Sequence, residues 1–185
     1  MRLPGFLESF ARQHPTLYGL AGDLLFSIVV VAAIGLLLFA YAGTWPAIVS
    51  VVGDSMYPHM HDGDLVLLQG LDRASIITYN AAAATNYTQY AEPGDVIVYR
   101  PYGRTDLHPV IHRAIRWVNA SEPMWPGGPA APESGFITLG DNNRGACDQM
   151  APNICYLQPV EPGWIIGIAR YNVPYLGFIR SLVPW

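Results

Sequence analysis

The sequence predicts a mainly β domain, a partly closed barrel-like sheet, behind one N-terminal transmembrane helix. Three observations carry this expectation. No charged residue occurs between Leu24 and Gly53, and the run Leu24 to Ala42 is long enough at helical rise to cross roughly 30 Å of hydrocarbon. Beyond it, short runs rich in β-branched and aromatic residues recur, punctuated by Gly, Pro and Asp as sheets with tight turns require. The 185 residues are 51% hydrophobic and 13% charged, with a mean hydropathy of +0.23, too apolar for a disordered tail or an ordinary water-soluble surface.

The chain divides into a short cytoplasmic segment (1–23), a membrane helix (24–43) and an extracytoplasmic body (44–185). A cleaved signal peptide is the alternative, but the apolar run exceeds the roughly 7 to 15 residues of such a segment and starts well inside the chain. Arg2, Arg12 and the amino terminus precede the span, offset by Glu8 and Asp23. Asp54, Asp62, Asp64 and Asp72 follow it against Arg73 alone, so the charge bias places the N-terminus inside. Two sequons, Asn86-Tyr87-Thr88 and Asn119-Ala120-Ser121, agree with an external body. Cys147 and Cys155 suit either two buried thiols or, in an oxidising compartment, a disulfide that would restrict where the adjacent Asp148 can point.

Within the body, Asp62-Gly63-Asp64 leads into Leu65 to Leu68, and Glu92-Pro93-Gly94-Asp95 into Val96 to Tyr99. Val110 to Val118, Phe136 to Leu139 and Trp164 to Ala169 complete the strand series. The stretches Gly70 to Ala91 and Asn119 to Ser134, which hold both sequons, are read as surface excursions. The segment Val173 to Trp185 is too short to span a bilayer. It either lies in the membrane interface, anchored by Phe178 and Trp185, or forms a last strand and turn on the sheet.

The charge pattern narrows the function. A net charge of −4 without any basic run excludes electrostatic attraction to nucleic acid. All ten basic residues are Arg, and without lysine there can be no Ser-Lys dyad, Schiff-base lysine or phosphate-loop lysine. Ser55, at the end of an apolar strand and before Pro58, is placed as a nucleophile or as a turn cap. A hydroxyl nucleophile then needs histidine as its base. His14 precedes the anchor, while His59 and His61 flank the turn after Ser55. His108 lies in a loop, and His112 sits in the apolar run Val110 to Ile115, as a rigidly held base or a satisfied core residue. Neither His59-x-His61 nor the pair His108 and His112 has a third ligand at recognisable spacing, so no metal or organic cofactor is expected. Asp141, in a Gly-Asp-Asn turn, and Asp148 both qualify as the carboxylate that orients the imidazole.

In this order the blocks resemble the type I signal peptidases of the endoplasmic-reticulum and archaeal kind. Ser55-Met56-x-Pro58 with Gly63-Asp64 is similar to the nucleophile box, Gly94 to Val98 to the following strand, and Ile111-His112-Arg113 to the histidine box. Phe136 to Asn143 with Asp148 resembles the aspartate box, and Val173 to Gly177 the terminal one. Where the family often has a shorter acidic run, this chain carries Arg144-Gly145-Ala146-Cys147.

The resemblance implies Ser55 as nucleophile, His112 in the place bacterial relatives give to lysine, Asp148 as third member and Asp141 in support. It further implies a serine endopeptidase of the cell membrane or endoplasmic-reticulum membrane that removes signal peptides from preproteins after small residues. Its partners would be signal peptides and the lipid bilayer, with room for accessory subunits or translocation machinery. Two rival readings stand beside it. An inactive membrane-anchored subunit of the same fold would be expected to lack Ser55 or His112, and a membrane-tethered esterase would carry a Gly-x-Ser-x-Gly elbow.

Overall fold

The computed structural model describes residues 15–177. The chain forms two compact units, the first ending at Tyr41 and the second starting at Ala42. Helix α1, Pro15–Ala42, makes up the described part of the first and its last residue begins the second; within it the 24 residues Gly19–Ala42 are long and apolar enough to cross a membrane. From Gly19 to Tyr41 its side chains are almost all exposed, with no apolar/polar division around the axis, unlike a helix built to cover a soluble core. Gly43, at φ +62°, stops the helix in a left-handed conformation that a side chain would strain.

The body is mainly β. Its strands are β1 (Ile48–Ser50), β2 (Leu65–Gln69), β3 (Thr88–Gln89), β4 (Glu92–Pro93), β5 (Val96–Tyr99), β6 (Val110–Val118), β7 (Gly135–Leu139) and β8 (Ile165–Val173). Six of them form one sheet in the order β1-β2-β8-β5-β6-β7, every pair antiparallel, while β3 and β4 form a separate ladder. The large sheet ends in two different edge strands, β1 and β7, so it is not closed by hydrogen bonds, and bulges interrupt three of its pairings.

Strand β5 is the centre. All four of its residues are buried, which explains why its sequence is a continuous apolar run instead of an alternating one. Val96 and Val98 pack on one face with Val66, Leu68, Met56 and Met60, whereas Ile97 and Tyr99 pack on the other with Ala114, Cys155, Val160 and Ile168. Burying each aliphatic side chain of this kind contributes about 1.5–3 kcal/mol. A third cluster of Val118, Met124, Ala131, Ile137 and Cys147 lies beneath the excursion 119–134.

Three expectations are corrected or refined. Cys147 and Cys155 are both free and belong to different apolar clusters, so each is a packing residue rather than half of a bridge. Burial raises both thiols above their ordinary value, that of Cys155 to about 11. The stretch 70–91 is not loop throughout. It contains helix α2 (Tyr79–Ala83), started by Thr78 accepting from the Ala81 N–H, and then β3. The last described residues continue β8 into a turn held by Gly177 N–H to the Gly63 carbonyl at 2.7 Å and Tyr175 N–H to Asp64. Phe178 and Trp185, the proposed interfacial anchors, lie outside the described residues, as do Arg2, Glu8, Arg12 and His14.

Candidate active site

The site forms where three separate stretches meet. Ser55 lies in the turn after β1, which is pinned by Gly53 N–H to Asp62 and by Tyr57 N–H to the Asp54 carbonyl. Met56 and Met60, both fully buried, root this turn in the core and leave Ser55 half-buried at its crest. His112 comes from β6, opposite Ile97 of β5 and only 3% exposed. Asp148 opens a short 3-10 turn beyond β7 and is 1% exposed.

These residues stand in one hydrogen-bonded line. Ser55 Oγ is 2.9 Å from His112 Nε2, and His112 Nδ1 is 2.7 and 2.9 Å from the two Asp148 oxygens. A carboxylate only accepts, so the proton of a neutral imidazole belongs on Nδ1 and the Nε2 lone pair faces the serine hydroxyl. The arrangement can therefore take a proton from Ser55 as its oxygen attacks a carbonyl, then return it to a leaving amine.

Two hydroxyls that sequence reading missed complete the surroundings of Asp148. Tyr99 donates to Oδ2 at 2.7 Å and Thr138 to the same oxygen at 2.6 Å. Burial first, and then the Asp148 charge, raise the Tyr99 phenol well above its ordinary value, so it stays a donor throughout the physiological range. A signal for both existed. A tyrosine on a fully buried strand needs a partner for its hydroxyl, and a threonine inside Phe136-Ile137-Thr138-Leu139 is a polar group in an apolar run.

Asp141 lies elsewhere. Its oxygens take a two-pronged contact from Arg113, Nε at 2.8 Å and Nη2 at 2.7 Å, and Oδ2 also meets His59 Nδ1 at 2.8 Å. Arg113, itself 2% exposed, directs Nη1 to the carbonyls of Gln89 at 2.9 Å and Gly94 at 2.7 Å, so this buried charge is fully partnered. The next residue, Asn142, reaches across to the nucleophile turn. Its backbone N–H meets the Ser55 carbonyl at 2.9 Å, and its Nδ2 meets the Asp54 carbonyl at 3.0 Å. Gly140 is glycine for want of space, because a β-carbon there would stand 2.7 Å from the Ser55 carbonyl oxygen and 2.9 Å from His112 Nε2. A cleft of about 340 Å³ opens beside Asp141, with His59, Glu92, Arg113 and Tyr79 among its walls.

Fold and site together define a class: a mainly β body, preceded by a long apolar helix, that presents a serine, a histidine and an aspartate in hydrogen-bonded sequence. The more particular likeness comes from comparison with known proteins. The chain is 28% identical over 142 residues to the signal peptidase complex catalytic subunit SEC11 of Colletotrichum graminicola, covering 75% of this chain and 66% of that protein, just under two thirds of its length. It is 27% identical over 158 residues to the subunit of the same name from Aspergillus terreus, covering 80% of this chain and 72% of the relative. No family model matches the chain. The resemblance to type I signal peptidases is thus borne out by two named relatives aligned over most of the sequence.

Proposed function

We propose that this protein is a membrane-bound serine endopeptidase that removes signal peptides from exported preproteins. The observation that carries the reading is the line Ser55–His112–Asp148, assembled from three distant stretches of a chain similar to signal peptidase catalytic subunits. Ser55 Oγ attacks the scissile carbonyl while His112 Nε2 accepts its proton. Backbone N–H groups of the nucleophile turn stabilise the oxyanion, and His112 then protonates the leaving amine. Asp148 holds the imidazole in the tautomer this requires. A water molecule activated by the same histidine releases the signal peptide from the acyl-enzyme.

The substrate is an extended segment with small residues before the cut, paired by main-chain hydrogen bonds near Ser55. Helix α1 spans a cell membrane or endoplasmic-reticulum membrane with the N-terminus inside and the body outside, so that residues 1–23, 24–43 and 44–185 serve as tail, anchor and catalytic domain. The names of the relatives support action within a complex with other subunits.

The test is to reconstitute the full chain in membranes with a labelled preprotein and to sequence the new amino terminus of the product. Cleavage after a small residue, abolished by Ser55→Ala and by His112→Ala in folded protein, is expected. Substantial cleavage by either variant overturns the reading.

A further inference from the structure

One sequon has a built environment and the other does not. Asn119 opens the excursion 119–134 on an exposed turn directly after β6, with Ala120 and Ser121 exposed beside it. The turn is firmly tied: Glu122 N–H meets the Asn119 carbonyl at 3.0 Å, Ser121 N–H the Ala131 carbonyl at 2.8 Å, and Ala120 N–H the Ser134 hydroxyl at 2.9 Å. Glu122 also accepts from the Asn119 backbone N–H at 2.8 Å and from its Nδ2 at 3.1 Å.

The distinctive neighbour is Trp117, two residues earlier on the same strand end. Its indole Nε1 donates to Asn119 Oδ1 at 3.1 Å, and its ring meets Phe136 edge-on, with centroids 4.9 Å apart and planes at 77°. A large aromatic that is 41% exposed yet fixed at two points is a rigid platform with uncovered surface. The side-chain amide of Asn119 has two N–H bonds, of which the Glu122 contact needs one. Substituting the other leaves both present hydrogen bonds of the amide in place. Asn86 lacks such a setting: it is exposed, at φ +56°, and the residue two before it is Ala84.

We infer that Asn119 is an N-glycan acceptor whose first sugar packs against the Trp117 ring. The donor is a lipid-phosphate-linked saccharide. The sugar C1–O bond to phosphate breaks, the C1–Nδ2 bond forms, and the displaced amide proton leaves with the phosphate. The sugar's C–H face then meets the electron-rich face of the indole. This inference rests on the outward orientation of the body proposed above.

The test is to express the full chain in a cell with an N-glycosylation pathway and follow its mass and melting temperature. We expect a glycosidase-sensitive mass increase that Asn119→Gln loses and Asn86→Gln retains. The glycosylated protein should melt about 2 °C above its enzymatically deglycosylated form, a gap that Trp117→Ala closes and Trp117→Phe largely keeps. If Asn119→Gln retains the whole mass increase, Asn86 carries the sugar and the inference fails while the orientation stands. If no variant gains mass, the inference fails, and protease accessibility of the loops after Ala42 in sealed cells then decides the orientation separately. An unchanged gap in Trp117→Ala overturns the platform role.

Discussion

His112 and Arg113 are neighbours on β6, and each takes a carboxylate from the same loop, yet the two pairs stand in opposite settings. His112 shares the face of β6 that carries Ala114 and meets Asp148 among Tyr99 and Thr138. Arg113 points to the other face and meets Asp141 and His59. One pair presents a lone pair to a hydroxyl, whereas the other is a fully partnered buried ion pair. Under the proposed mechanism, strand alternation thus separates a chemical carboxylate from an architectural one with a single step along the chain.

Exchanging each carboxylate for its amide should break the comparison most sharply. Asp148→Asn should lower the rate of preprotein cleavage on the order of 10⁴-fold with little change in the substrate concentration needed, because the amide favours the wrong histidine tautomer. Asp141→Asn should instead lower the unfolding free energy by about 3 kcal/mol, since it leaves the Arg113 charge buried without its partner, and should retain far more activity in protein kept folded. Kinetics and denaturant titration on both variants decide the matter. Equal kinetic losses in folded protein would erase the distinction.

A steric variant sharpens it. Gly140→Ala places a methyl group against His112 Nε2 and the Ser55 carbonyl, so the cleavage rate should fall on the order of 10²-fold, the cost of displacing reacting groups by about an ångström. Wild-type rates from that variant would mean that the loop can retreat freely.

Smaller still is Tyr99→Phe, which removes one of the hydroxyl donors to Asp148. It should cost about 1–2 kcal/mol of stability and lower kcat more than it changes KM. No rate change at all would reduce Tyr99 to a packing residue.

The smallest effect concerns the thiols. Denatured without reductant, the protein should show two reactive thiols per chain, and a Cys147→Ala, Cys155→Ala double variant should cleave at nearly the wild-type rate. Below about pH 9 the native thiols should resist alkylation. As pH rises through the unfolded value near 8.5 towards about 11 for Cys155, ionisation of that thiol favours the unfolded chain, so stability should decline across that window.

Much of the scaffold was legible because its strands are continuous apolar runs between Gly-Asp or Pro-bearing turns. Val96–Tyr99 and Val110–Val118 stand where the runs place them. Residues 79–83 were harder to read, since a five-residue helix offers too few positions for a period to show. The candidate residues could be gathered from motif order, but their partners could not. Whether Asp141 or Asp148 meets His112 depends on how the loop 140–148 leaves β7 and on which face of β6 each side chain occupies. Likewise, the nearness of Cys147 and Cys155 along the chain says nothing of the separate clusters into which they fold.

The stapling of the nucleophile turn by Asn142 has a consequence in time. Ser55 is synthesised 57 residues before its base, and the Asp54 carbonyl 88 residues before the side chain that grips it. A nascent chain therefore carries its hydroxyl for 57 residues before the base is made, and for longer before the clamp is in place. Contacts of such long sequence separation carry a loop-closure cost, so the proposed hydrolase gains no cutting power until both have closed. Until then, neither the growing chain nor its neighbours at the membrane are exposed to a competent blade.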